Sequence, residues 1–336
     1  YMKIIHTLAT DHFDGREYNL NTRNLLYQLI SALTIRDVYG PDQEFILITD
    51  TKGKNLIDKY NFPYSSINTA LDNWTYTRPV CPVSYKLVGF EQYPNEEVVH
   101  LDNDVFIKKR LPEYTEVLVQ SDEGNFPQYH KDNIPYDYYP HYIYPEGTTI
   151  DDYTHNYNPG VIGFKADCSI RDTYVNTYHT ILELNNNKLN HLQETDPELR
   201  AKINDQAICG ILEESLLYNL CEDNNVNVVE VLDKAIVGQP MNYNLDRSNI
   251  SESLQNLLSR SYNHWVELGY IHPFNKKEYQ KDYMVDLMGN FDSDTATTFV
   301  PNFKQEITAF LRRRDGLSPS PTDNEIALSL KYLILT

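Results

Sequence analysis

The chain has 336 residues, of which 41% are hydrophobic, so it is long enough and apolar enough to bury a full core. Its 29 basic and 48 acidic residues give a formal net charge of −19, which argues against non-specific binding to nucleic acid or to an anionic membrane surface. The same balance suits a protein that handles an anionic substrate through a divalent metal ion rather than through a broad basic face.

The first hundred residues alternate between apolar runs and segments with helical spacing. Strands are predicted by the apolar runs at 3–8, 44–49 and 97–101. Helices are predicted between them, at 21–39, at 51–60 behind an Asp50 cap, and at 82–93. This alternation is typical of an α/β fold with a mostly parallel sheet flanked by helices, in which ligands bind beyond the carboxyl ends of the strands.

The rest of the chain is less regular. Residues 122–157 are rich in Tyr, Pro and Asp, and so long a stretch without a pattern predicts a functional loop or a disordered segment. A strand at 160–164 follows, then helices at 171–185 and 203–219 and a strand at 227–232. Further helices are predicted at 254–261, 276–288, 303–313 and 324–333. We therefore expect a core at 1–245, and a closing segment with a helical C-terminal extension at 246–336.

The strand predicted at 97–101 ends in Asp102-Asn103-Asp104. Two carboxylates at positions i and i+2, where the chain bends after a strand, can both turn toward one divalent cation. Mg²⁺ and Mn²⁺ accept such oxygen ligands, and a metal there would stabilise a diphosphate leaving group. The triplet alone is a weak signal, since many are polar turns, but its place after an apolar strand in an α/β alternation favours a metal site.

Five short segments of the chain form an ordered set of motifs. They are residues 4–11, 84–87, 99–105 around the acidic pair, 157–162 (Tyr-Asn-Pro-Gly-Val-Ile) and 204–208 (Asn-Asp-Gln-Ala-Ile). Together they resemble the glycosyltransferase A (GT-A) fold, and within it the retaining galactosyltransferase and glycogenin-type enzymes of family 8. The resemblance spans residues 2–277 and is remote, and the ordered set is more specific than any one segment.

The resemblance implies transfer of a sugar from a nucleotide diphosphate sugar, with uridine as the expected nucleoside, and retention at the anomeric carbon. The acceptor, whether glycan, protein or small molecule, is not identified by the sequence. Asp102 and Asp104 are implied as metal ligands, and Asp205 and Gln206 as the residues beneath the sugar. Donor contacts are implied for Thr7, Ala9, Thr10, Lys86, Asn103 and Lys276, and substrate contacts for Asn158 and Gly160. Alternatively, Asn204-Asp205 caps the following helix and Lys86 is a solvated side chain.

The family closes its site with a His-x-x-Gly-x-x-Lys-Pro-Trp segment, whose His is the third protein ligand of the metal. The nearest counterpart is residues 270–277, Tyr-Ile-His-Pro-Phe-Asn-Lys-Lys, which lacks the Gly and the Pro-Trp. We prefer His272 as the third ligand, because Tyr270 and Ile271 resemble a strand end and Lys276 follows within reach. His264 is the alternative.

Eight tyrosines lie within residues 127–157. Tyrosine suits sugar recognition, because its ring packs on a sugar face while its hydroxyl forms hydrogen bonds. We therefore predict that Tyr138, Tyr139 and Tyr142 bind the acceptor. The alternative is that these rings only pack a long surface segment onto the core.

Two other functions are compatible with the pattern. A nucleotidyltransferase on a related fold would normally show a glycine-rich phosphate loop, and none follows Leu8. A catalytically silent binding or scaffold protein is the other alternative. The four cysteines are scattered without a CxxC pair, which indicates free thiols, and the absence of a visible signal peptide or of an apolar run of about 18 residues leads us to expect a cytoplasmic protein.

Overall fold

The computed structural model describes residues 2–10, 22–78, 82–125, 155–232, 269–272, 309–310 and 312–313. Its strands are β1 (Lys3–Leu8), β2 (Phe45–Thr49), β3 (Ser66–Asn68), β4 (Val98–Leu101), β5 (Phe106–Ile107), β6 (Val117–Asn125), β7 (His155–Phe164), β8 (Val228–Glu230) and β9 (Tyr270–Ile271). Seven of them form one sheet in the order β3-β2-β1-β4-β7-β6-β8, and β5 pairs with β9 in a second, two-stranded sheet.

The large sheet is mostly parallel. Strand β1 runs parallel to β2 and β4, β2 to β3, and β6 to β8, whereas β7 is antiparallel to both of its neighbours. Six strands therefore share one direction and place their carboxyl ends along one edge. This confirms the predicted α/β fold with a mostly parallel sheet.

Helices cover the sheet. They are α1 (Thr22–Tyr39), α2 (Thr51–Tyr60), α3 (Lys86–Gln92), α4 (Arg171–Thr195), α5 (Pro197–Arg200), α6 (Asp205–Gly210) and α7 (Leu216–Asp223). Apolar clusters lie on both faces of β1: Ile4 belongs to the cluster that contains α1 residues, and Ile5 to the one that contains residues of α3 and α4. Successive side chains of a strand point to opposite faces, so a strand covered on both sides reads as a continuous apolar run.

The predicted element boundaries hold best in the first hundred residues. Strand β1 has the predicted bounds, and Asp50 caps α2 by accepting a hydrogen bond from the Gly53 backbone N–H at 2.7 Å. Helix α3 is preceded by a 3₁₀ turn at Pro82–Tyr85, so the segment predicted as one helix has two parts.

The prediction of an irregular segment at 122–157 is wrong at both ends, because β6 continues to Asn125 and β7 begins at His155. Their pairing contains two register shifts, between Val119 and Ser121 and between Asp122 and Gly124. Such bulges disrupt the two-residue alternation by which a strand is recognised in a sequence. The helix predicted at 171–185 likewise continues to Thr195.

The helix predicted at 203–219 is divided. Helix α6 is followed by a π-helical turn, Ile211–Ser215, and then by α7. A π-helical turn inserts one extra residue into a helix and so rotates the side chains that follow it.

Other predictions fall on residues that are not described: the domain boundary near 245 and the helices at 254–261, 276–288 and 324–333. Of the helix predicted at 303–313, residues 309–310 and 312–313 are described and are helical. Phe310 packs against Tyr60 and Phe62, with ring centroids 5.4 and 6.2 Å apart. Among the described residues, no helix has both the length and the apolar character to cross a membrane, and Cys168, Cys209 and Cys221 form no disulfide.

Candidate functional site

The acidic pair lies on a turn directly after β4, at the carboxyl edge of the sheet. The Asp102 backbone N–H donates to the Gly160 carbonyl of the neighbouring β7 at 2.9 Å, and the Val105 N–H donates back to the Asp102 carbonyl at 3.0 Å. Strand β5 begins immediately afterwards and pairs with β9, with Phe106 opposite Ile271. This pairing brings His272, the residue after β9, to the turn that carries the two aspartates.

Asp102, Asp104 and His272 converge there. The Nε2 atom of His272 lies 3.2 Å from Asp104 Oδ1 and 4.0 Å from Asp102 Oδ2. One ligand atom from each residue falls within 4.8 Å of the others. Two carboxylates and an imidazole are a donor set that Mn²⁺ accepts, and Mg²⁺ would use chiefly the carboxylates. The preferred third ligand, His272, is thus at the site, whereas His264 lies outside the described residues.

A buried glutamine orients the imidazole. Gln120 Oε1 lies 2.7 Å from His272 Nδ1 and also accepts the Tyr270 hydroxyl at 2.7 Å. Because an amide oxygen can only accept, Nδ1 carries the proton, and the lone pair of the neutral ring is on Nε2, the nitrogen that faces the aspartates. A hydrogen bond of this kind from the second ring nitrogen is the usual support of a metal-binding histidine.

Gly160 makes room for this arrangement. A β-carbon at position 160 would lie 2.3 Å from Gln120 Oε1 and 2.4 Å from His272 Nδ1, which no side chain tolerates. Asn158, on the same strand, accepts the Gly160 backbone N–H on its Oδ1 at 2.9 Å. Close packing against Gln120 and His272 therefore explains why position 160 is a glycine. Substrate contacts of Asn158 and Gly160 stay predictions.

Lys86 reaches the site from the start of α3. Its ammonium lies 2.7 Å from Asp102 Oδ1 and 3.1 Å from the Pro159 carbonyl, and it forms an ion pair with Glu213. The side chain is only 7% exposed. An ammonium has three N–H donors, and these three acceptors match them. A solvated role for Lys86 is therefore wrong, and its contact with a diphosphate stays a prediction.

Glu213 is the residue that sequence reasoning missed. It lies on the π-helical turn, and its side chain is 4% exposed. Burial raises its pKa to about 7, and the positive charge of Lys86 limits the rise. The signal in the sequence was a glutamate at helical spacing from Cys209, Leu216 and Leu217, on the face of the helix that is buried.

The other ionisable groups of the site also respond to burial and to each other. Burial raises the pKa of Asp104, but His272 outweighs burial and the net direction is downward. Burial lowers the pKa of His272, but the aspartates outweigh it and the net direction is upward. Desolvation by burial and the nearby Lys86 lower the pKa of His100, which is a buried core histidine.

The residues predicted to bind the nucleoside lie at the same edge of the sheet. The Thr7 carbonyl accepts from the Asn103 side-chain amide at 2.9 Å, so the acidic turn is tied to β1. Thr10 donates to Asp50 from its backbone N–H at 2.6 Å and from its hydroxyl at 2.5 Å. Ala9 and Thr10 are buried. Nucleoside contacts of Thr7, Ala9 and Thr10 stay predictions.

Asp205 begins α6 and forms an ion pair with Arg200 at 2.5 Å. The backbone carbonyl of Asn204 accepts from Ile208 at 3.3 Å, so this pair of residues does begin the helix, as the alternative interpretation expects. The Gln206 backbone belongs to α6, and its side chain is outside the description. Lys276, Tyr138, Tyr139 and Tyr142 also lie outside the described residues.

Several solved structures are similar to this chain. An active-site mutant of LgtC is 10% identical, with a TM-score of 0.40, and the match covers 97% of this chain and 100% of that one. The glycosyltransferase GlyE of Streptococcus pneumoniae TIGR4 is 10% identical, with a TM-score of 0.38 and coverage of 98% of this chain and 63% of that one. The PaToxG glycosyltransferase is 10% identical, with a TM-score of 0.30 and coverage of 84% and 83%.

No curated protein matches the sequence significantly. A family of unknown function, DUF6734, matches residues 2–298, which is most of the chain. The chain therefore belongs to the DUF6734 family.

Proposed function

We propose that this protein is a metal-dependent glycosyltransferase that transfers a sugar from a nucleotide diphosphate sugar, with a uridine diphosphate sugar as the expected donor. The observation that carries the proposal is the convergence of Asp102, Asp104 and His272 at the carboxyl edge of a mostly parallel sheet. That edge is where open α/β sheets bind their ligands.

The charges of the site support a cation between protein and donor. Asp102 and Asp104 converge at the site, and the ammonium of Lys86 is shared between Asp102 and the buried Glu213. A diphosphate would be repelled from this surface unless a divalent cation were present. When bound by Asp102, Asp104 and His272, Mn²⁺ or Mg²⁺ would neutralise the charge that develops on the leaving diphosphate.

In the proposed reaction, the bond between the anomeric carbon and the diphosphate oxygen breaks, and its electron pair stays on the diphosphate. The acceptor oxygen then bonds to the anomeric carbon and gives up its proton to a base. Asp205 and Gln206 are the proposed stabilisers of positive charge on the sugar. Retention, the nucleoside contacts of Thr7, Ala9 and Thr10, and the donor contacts of Asn103 and Lys276 belong to the proposal through the family resemblance.

A panel of nucleotide sugars, each with and without Mn²⁺, tests the proposal by thermal stability and by donor hydrolysis. A donor at 100 times its dissociation constant should add about 2.7 kcal/mol to the free energy of unfolding. Metal-dependent stabilisation with release of the nucleoside diphosphate is the expected result.

Other outcomes would contradict the proposal. Stabilisation without any turnover would favour a catalytically silent binding protein, and release of pyrophosphate from a nucleoside triphosphate would favour a nucleotidyltransferase. If no nucleotide sugar stabilises the protein at any Mn²⁺ concentration, the proposal is wrong.

A further inference from the structure

We propose that Glu213 is a positioning residue that sets the cation affinity of the site through Lys86, without itself touching the cation. This inference rests on the proposed metal site at Asp102, Asp104 and His272 and adds a residue to it. Its basis is a buried chain of charges, Asp102–Lys86–Glu213, that joins the acidic turn to the π-helical turn Ile211–Ser215.

The two oxygens of Asp102 face different partners. Oδ1 lies 2.7 Å from the Lys86 ammonium, and Oδ2 lies 4.0 Å from His272 Nε2, on the side where the candidate ligands converge. A metal ion and the ammonium would therefore share one carboxylate. Because like charges repel, the ammonium lowers the affinity of Asp102 for a cation. The effect is larger when no other carboxylate balances the charge of the ammonium.

Glu213 supplies that compensation. It contacts the ammonium on a side that Asp102 does not occupy, and the exposed fractions of the Lys86 and Glu213 side chains are 7% and 4%. Water screens charges poorly at such depth, so the loss of one carboxylate there has a larger effect than on the surface. At a pH above its pKa of about 7, Glu213 is ionised, so two carboxylates balance the ammonium and Asp102 attracts a metal ion more strongly.

The π-helical turn that carries Glu213 is anchored at two points. Tyr174, on α4, donates its hydroxyl to the Glu213 carbonyl at 3.4 Å, and Ser215, at the end of the turn, donates to the Asn156 side chain of β7. The turn is thereby held against both the helix and the strand. Single-turn π-bulges are frequent at functional sites.

Mn²⁺ titration of the full chain at a pH above 7, where Glu213 is ionised, tests the inference when it is followed by calorimetry without any donor. Glu213→Gln keeps the shape of the side chain but removes its charge, and we expect Mn²⁺ affinity to fall about 10-fold, as is typical for a residue behind a metal ligand. Adding Lys86→Met to Glu213→Gln removes the competing ammonium too, and we expect affinity to return to the wild-type value or above it. Glu213→Asp, which keeps the charge, should lie between wild type and Glu213→Gln.

Glu97→Gln is the matched control. Glu97 pairs with Lys165 at 2.7 Å at the opposite end of β4, so its neutralisation should leave Mn²⁺ affinity unchanged. The restoration in the double variant separates a charge effect from a structural one, because a merely structural role would make the double variant at least as weak as the single one.

The inference is overturned if the wild type binds Mn²⁺ and Glu213→Gln binds it equally well, or if the double variant stays as weak as Glu213→Gln. If Glu213→Gln alone fails to fold, the Mn²⁺ affinity of the double variant is compared with that of the wild type, and a lower affinity overturns the inference. Failure of the wild type to bind Mn²⁺ would instead reject the metal site itself, and the proposed function with it.

Discussion

The aspartates and the histidine of the candidate site reach the same place by different means. Asp102 is held by backbone hydrogen bonds, from its N–H to the Gly160 carbonyl and from Val105 to its own carbonyl, at the end of a strand paired on both sides. His272 follows a strand of two residues and is oriented by a side chain, Gln120. The backbone of the sheet therefore fixes the position of Asp102, whereas a side-chain contact with Gln120 fixes the orientation of His272.

This difference has consequences for mutation. Backbone hydrogen bonds persist when side chains change, so substitutions of the aspartates should alter the chemistry and leave the fold intact. The imidazole, by contrast, should be sensitive to Gln120 and Gly160, residues that do not face the cation.

Asp102→Asn or Asp104→Asn should give the largest effect. Each removes a charged ligand from the proposed metal, and the loss of leaving-group stabilisation should lower turnover by at least about 10³-fold. Steady-state donor hydrolysis in Mn²⁺ measures the loss, and circular dichroism should show an unchanged fold. Near-normal metal-dependent hydrolysis in both variants would refute the metal site.

His272→Ala should weaken Mn²⁺ affinity by about 10- to 100-fold, since the carboxylates remain. His264→Ala is the comparison, and it should have little effect on the same titration. The opposite ranking would move the third ligand to His264 and would shift the alignment of the closing segment upstream.

Gly160→Ala tests whether the space beside Gln120 positions the imidazole. The added methyl group must displace Gln120 or His272, and we expect about 1–3 kcal/mol of destabilisation together with weaker Mn²⁺ binding. Gly210→Ala is the control, because a β-carbon at that position meets no atom within 4 Å. Equal melting temperatures and Mn²⁺ affinities in the two variants would show that the space is not needed.

Gln120→Met should have a milder effect. It keeps the size of the side chain but removes the oxygen that accepts from His272 and Tyr270, and we expect Mn²⁺ affinity to fall about 10-fold. The measurement is the same titration. If the combination with His272→Ala is weaker than His272→Ala alone, Gln120 acts by some route other than the imidazole.

Replacing Tyr138, Tyr139 and Tyr142 together by Ala should have the smallest effect on the metal site. If these rings bind the acceptor, sugar transfer should fall while metal-dependent donor hydrolysis is spared, because the donor side is unchanged. The ratio of transfer to hydrolysis is the measurement. Equal loss of both activities, or a collapse of the melting temperature, would show a structural role.

The sequence was most informative where structure is local. The apolar run at 3–8 and the Asp50 cap predicted β1 and α2, and the position of the Asp-x-Asp triplet predicted a turn at the edge of the sheet, because parallel strands bring their carboxyl ends together. Tyr270 and Ile271 were correctly predicted as the end of a strand.

The support of the site was beyond prediction for a different reason. Gln120 lies in an apolar strand, and its partners are His272 and Tyr270, far away in the sequence. Glu213 lies at the spacing of buried helix positions, but its partner Lys86 is far away in the sequence. Both residues depend on tertiary neighbours that no local pattern encodes.

The late position of His272 in the chain also bears on how the protein is made. The seven described strands of the large sheet are complete once residue 230 has been synthesised, whereas His272 is added later. At about 5–20 residues per second, a ribosome needs on the order of seconds for that interval. The sheet strands and both aspartates are therefore synthesised before the third ligand, so a polypeptide released early would lack the complete site.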